Sequence, residues 1–242
     1  MPSLFWLAAL PALAAAMLGL PLDQPLLLAA AALLTLLGGI PHGAFDIALA
    51  RRLLGLDARQ VLAAFAAYVG VAAVMGLLWL HLPHLALPLF LLMAAAHFGE
   101  DWTMLEQGLL RAMAGASVIA ASAIGQPQAV AALFELLAGG PEGRIVAQAA
   151  VAAAPVTLLV TMAGIGLAWR DGHRAWALAQ ATAIGCLLAT PPAIGFFLYF
   201  TLLHSPLHLS GHCRALADWG PTRLWTLGAA MAAGCTLAVV LL

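Results

Sequence analysis

Apolar residues fall in long runs separated by short connectors rich in Pro, Gly and Arg. Crossing a bilayer as a helix takes about 20 mainly apolar residues, fewer where helices kink or lie obliquely. On that criterion the pattern predicts eight or nine spans, at residues 3–20, 26–49, 61–80, 85–99, 109–125, 145–169, 175–190, 193–212 and 224–242. None of the connectors is long enough to be a separate soluble domain. The expected fold is all-α, a polytopic membrane helix bundle forming a single integral membrane domain over residues 1–242. The first run has no basic residue before it and reads as a retained span rather than a secretory signal. Residues 129–138 carry Glu135 and are too short to span, which predicts an interfacial or re-entrant helix.

Composition narrows the function. The apolar share is 64% and the charged share 8%, with a mean hydropathy of +1.04, against roughly 45–50% and about 25% in soluble domains. A water-soluble globule is excluded. The net charge of -1 offers no cationic surface, so nucleic acid is not an expected partner. There is no Lys, which rules out a lysine Schiff base. Cys186, Cys213 and Cys235 form neither a CxxC pair nor a disulfide framework. Following the expected spans, every Arg but Arg144 falls on one side, which the positive-inside rule makes cytoplasmic. The expected location is the cell (inner) membrane, with the N-terminus cytoplasmic.

Ionisable groups within spans are costly and point to function. His42 lies in GGIPHGAFD, His97 in AAAHFGEDW, and His204, His208 and His212 in LHSPLHLSGH. Their spans are even-numbered, run in the same direction, and place the imidazoles near one end. Such convergence is what a metal centre in a helix bundle requires. His204 and His208, four apart, share a helix face, and Pro41 and Pro206 predict bends that open a pocket beside them. His42, His97, His204 and His208 are therefore the candidate ligands. Among carboxylates, Asp46 is the first choice to orient a ligand imidazole from behind, with Glu100 beside it. Alternatively, Glu100 or Asp101 lines the cytoplasmic mouth. Phe197 and Phe200 are candidate walls of an apolar pocket, with Phe45, Phe98 and Trp102 as further possibilities. His81, His84 and His173 read as solvated connector residues. Four imidazoles without a thiolate favour iron, copper, zinc or nickel over calcium or magnesium.

GIPHGAFD, HFGEDW and LHSPLHL, in that order, resemble the motifs of the Brp/Blh family of β-carotene 15,15'-dioxygenases. The resemblance implies an integral membrane, non-haem Fe(II) enzyme that cleaves the central double bond of β-carotene with O2 to give two retinals. It maps the family's iron ligands onto His42, His97, His204 and His208, and it implies no catalytic side chain beyond them. β-Carotene, O2 and the lipid bilayer are the implied partners. Two rival readings share the same histidines: a membrane lipid desaturase or hydroxylase, and a non-enzymatic haem- or metal-carrying subunit.

Overall fold

A computed structural model of the chain describes residues 2–39, 43 and 45–216, with isolated positions between 218 and 233. Regular structure among the described residues is entirely helical. The α-helices are α1 (Ser3–Met17), α2 (Pro25–Leu34), α3 (Asp46–Leu54), α4 (Ala58–His81), α5 (Pro83–Phe98), α6 (Gly108–Gly125), α7 (Pro127–Ala138), α8 (Glu142–Arg170), α9 (Arg174–Ala189), α10 (Pro192–Tyr199) and α11 (Ser205–Ala215). A π-helical turn, Thr35–Gly39, extends α2; a second, Phe200–His204, joins α10 to α11; and a 3-10 turn, Gly99–Asp101, ends α5.

The all-α expectation holds, but the count of spans does not. Among the described residues, four helical stretches are long and apolar enough to cross a bilayer: Ala58–His81, Gly108–Gly125, Glu142–Arg170 and the continuous Pro192–Ala215. The expected eight or nine is thereby corrected. Most of the other runs fail on length. α1 has 15 residues and α5 and α9 have 16 each, or about 22–24 Å at 1.5 Å per residue, against a hydrocarbon core near 30 Å. The run at 26–49 is divided, because α2 passes into a π turn and α3 starts afresh at Asp46. The expected 224–242 span lies mostly outside the described residues.

The four long helices place the protein in a membrane with several crossings. α4 has no buried residue and exposes Phe65, Val71, Val74, Leu77 and Leu80 by more than half, an apolar surface suited to lipid rather than water. Its start is fixed by a reciprocal cap: Asp57 Oδ1 accepts from the Gln60 amide and Gln60 Oε1 from the Asp57 amide, both at 2.9 Å. The short 129–138 segment forms α7, packed against α8 through Val130, Phe134 and Ala138.

Helix α6 is central, in contact with α5, α7, α8 and α9. Association in lipid depends on close backbone approach, which small residues permit. A Cβ on Gly115 of α6 would overlap the Ala95 carbonyl and the Gly99 amide at the end of α5. Gly115→Ala is accordingly expected to separate the two helices at a cost of about 1–3 kcal/mol. Thermal unfolding in detergent reads this as a lowered midpoint; an unchanged midpoint would mean the α5–α6 contact is not tight. A similar approach occurs between the π turns, where Gly39 meets the Phe200 ring and Gly38 the Thr201 methyl. Ser205 Oγ donates to the Gly39 carbonyl at 2.9 Å.

Candidate metal centre

The site forms where the end of α5 meets the π turn of Phe200–His204. His97 closes the last turn of α5, and the 3-10 turn after it carries Asp101, four residues on. The close Gly99–Gly115 approach holds that turn against α6. From the other side, His204 ends the π turn and His208 sits one turn into α11. Pro206 lies within the continuous stretch Pro192–Ala215, two residues after the π turn that interrupts its regular α-helical ladder.

Asp101 is the centre of the polar network. Its Oδ2 accepts from His204 Nδ1 at 2.8 Å and from the Tyr199 hydroxyl at 3.2 Å, while Oδ1 accepts from His208 Nε2 at 2.8 Å. The His204 side chain is 0% exposed and that of Asp101 5%, against 19% for His208 and 40% for His97. Burial alone would raise the Asp101 carboxyl, but hydrogen bonds from His204 and His208 outweigh it and hold the group well below the usual carboxylate range. An ionised carboxylate only accepts, so the ring nitrogens facing it carry hydrogen. A neutral His204 then keeps its lone pair on Nε2. That atom faces His97 Nε2 at 3.2 Å.

This donor set suits a metal. Two imidazole nitrogens each bound at about 2.0–2.1 Å to one ion stand about 3.0–3.4 Å apart, and the His97–His204 pair falls in that interval. Asp101, His204 and His208 also lie together, with one ligand-type atom of each within 4.8 Å of the others, so the buried carboxylate stands directly behind the imidazoles, as metal-binding histidines require.

The remaining sequence candidates take other places. His42 lies outside the described residues. Glu100 Oε2 is 3.8 Å from His97 Nδ1, and Asp46 opens α3 within electrostatic reach of His208, His212 and Glu100. His212 packs by its ring near His208 and Phe45. Phe200 stacks on His204 at 5.8 Å, whereas Phe197 packs into the main apolar core. Phe98 meets His204, Tyr199, Phe196 and Phe200 edge-on. Trp102 turns away, buried against Trp176. Sequence reasoning assigned Asp101 only to the mouth and did not single out Tyr199. The signal for Asp101 was present in its spacing, since a carboxylate four residues after His97 shares that residue's side of the helix. Nothing comparable marked Tyr199, whose alignment with His204 depends on a π turn.

A chain that crosses the membrane repeatedly and gathers imidazoles around a buried carboxylate has the build of a membrane-embedded metal-dependent oxidoreductase. The chain belongs to the Beta-carotene 15,15'-dioxygenase family, which it matches over residues 32–242. The resemblance read from the three histidine motifs is thereby confirmed, and the protein is a dioxygenase of the carotenoid-cleaving kind. No curated protein and no solved structure matches it.

Proposed function

We propose that the protein takes β-carotene from the bilayer and cleaves its central double bond with O2 to give two retinals, using Fe(II) held by His97, His204 and His208 with His42 as the fourth ligand. The observation that carries this reading is the pair of imidazole nitrogens facing each other at 3.2 Å, with one ring fixed from behind by Asp101. Iron bound there would supply the activation of O2. The side chains do the rest. Asp101 sets the His204 tautomer and orients the His208 ring, and the Tyr199 hydroxyl holds the carboxylate in place. Phe98, Tyr199 and Phe200 surround His204 with rings, which limits water near reactive oxygen species.

Both oxygen atoms of O2 end in the two aldehydes, so the reaction needs no external reductant. The whole chain, residues 1–242, acts as one integral membrane domain in the cell (inner) membrane. The reading keeps a cytoplasmic N-terminus, with Arg51, Arg52 and Arg59 at the start of the first long span, Ala58–His81. Expression in cells that accumulate β-carotene is expected to bleach the pigment and yield retinal, and His97→Ala to do neither. Undiminished β-carotene alongside folded, iron-loaded wild type would defeat the reading. Cleavage by purified enzyme without added reductant would separate it from desaturase or hydroxylase chemistry.

A further inference from the structure

One apolar cavity lies off the metal centre and is joined to it by a run of rings. It has a volume of about 180 Å³ between α5, α6, α7 and α10, with Leu91, Val118, Ile119, Ser122, Ala193 and Phe196 among its walls. Ser122 contributes the only polar side chain in its lining, and cavities of this composition stay dry and take apolar groups. Pockets for whole drug-sized ligands measure about 300–1,000 Å³, so this one suits a fragment. Phe196, in its wall, stacks on Phe200 with ring centroids 5.1 Å apart and planes within 13°. Phe200 in turn stacks on His204 at 5.8 Å and 19°. The three rings form a slipped parallel stack along the helix, in which Phe196 and Phe200 are only partly buried and His204 is fully buried.

We propose that this cavity receives the ring-bearing end of one arm of the carotenoid, with the polyene of that arm passing the partly exposed Phe196 and Phe200 rings toward the metal centre. The inference rests on the carotenoid reading above and deepens it. Phe196 and His204 are two ring-to-ring steps apart, of 5.1 and 5.8 Å, a reach comparable to the polyene between the central double bond and its ring. A rigid conjugated chain can pack against the rims of such a stack at little conformational cost, whereas a flexible acyl chain loses more freedom in lying there. A second apolar cavity, of about 250 Å³, shares Leu91 and Ile119 with the first and extends to Leu92, which is 68% exposed. The two cavities therefore adjoin at Leu91 and Ile119, the second lying nearer the exposed face of α5.

The test fills the cavity from two independent walls, with Ala193→Phe on α10 and Ser122→Leu on α6. Purified full-length variants with wild-type iron content and a monodisperse profile in detergent are assayed on β-carotene and on an apocarotenal that keeps one ring and has its other arm shortened. KM for β-carotene is expected to rise about tenfold or more, the equivalent of about 1.4 kcal/mol of binding. KM for the shortened substrate is expected to change less than about threefold, because it can bind with its truncated arm toward the filled cavity and its ring-bearing arm in the opposite direction. Unchanged β-carotene kinetics in either folded variant would overturn the proposal and leave the cavity to a lipid chain or to packing. An equal loss on both substrates would also overturn it. Failure of the wild type to cleave β-carotene would instead strike the proposed function itself.

Discussion

His204→Ala is expected to abolish retinal formation while leaving the chain in the membrane. The imidazole is wholly buried, and both ring nitrogens are engaged, Nδ1 with Asp101 and Nε2 facing His97. Its removal takes away one of the two nitrogens that face each other at bonding separation for a shared ion. It also strips Asp101 of a partner and Phe200 of the ring it stacks upon. Loss of an outer partner of a metal site typically costs about 10–100-fold in affinity or activity, and loss of a ligand is expected to exceed that. The check is paired: retinal yield in β-carotene-accumulating cells, and iron content of the purified variant. His173→Ala provides the contrast, since His173 is exposed at the start of α9 and is expected to leave both readouts unchanged. Wild-type iron content in His204→Ala would place the metal elsewhere.

How far the sequence reached differs between fold and site, for reasons visible at particular residues. The helical class and the membrane setting follow from apolar content, which is a property of whole segments. The number of crossings does not, because it depends on where a run stops. Pro83 and Pro192 start new helices, the 26–49 run breaks between a π turn and Asp46, and α1 ends two residues before Gly19, which adopts a positive φ of 68°. At the site, the His204–His208 spacing was legible as one helical turn, and the rings do stand 4.4 Å apart. What escaped was the partner. Asp46 and Asp101 both sit four residues after a motif histidine, and local spacing treats them alike. Only the Gly99–Gly115 contact, between residues far apart in sequence, carries Asp101 inward to meet His204 and His208. Tyr199 was hidden for a related reason, since residues five apart share a face only where the ladder shifts to π, and no residue pattern in LYFTLLH announces that shift.

Asp101→Asn is expected to keep the fold and to weaken the metal site. Asn preserves the shape and one carbonyl acceptor, but its amide group is a donor that meets a ring N–H where an acceptor is required. Either His204 Nδ1 or His208 Nε2 must then rotate, or shift its proton to the other ring nitrogen. For His204, that second outcome puts hydrogen on Nε2, the atom facing His97, and removes the lone pair available to a cation. Iron affinity is expected to fall about 10–100-fold, with retinal formation falling in parallel at limiting iron and recovering in part as iron is raised. Asp101→Ala is expected to be worse. It leaves the buried Tyr199 hydroxyl and two ring N–H groups without their acceptor, at about 1–3 kcal/mol for each that stays unpaired, so thermal stability should drop as well as affinity. Tyr199→Phe separates positioning from packing, because it keeps the ring that meets Phe98 and removes only the hydrogen bond. A modest loss of iron affinity with unchanged thermal stability is the expected result. Titration of the apoprotein with Fe(II) under anaerobic conditions measures all three variants, and wild-type affinity in Asp101→Asn would show that the carboxylate does not govern the imidazoles it touches.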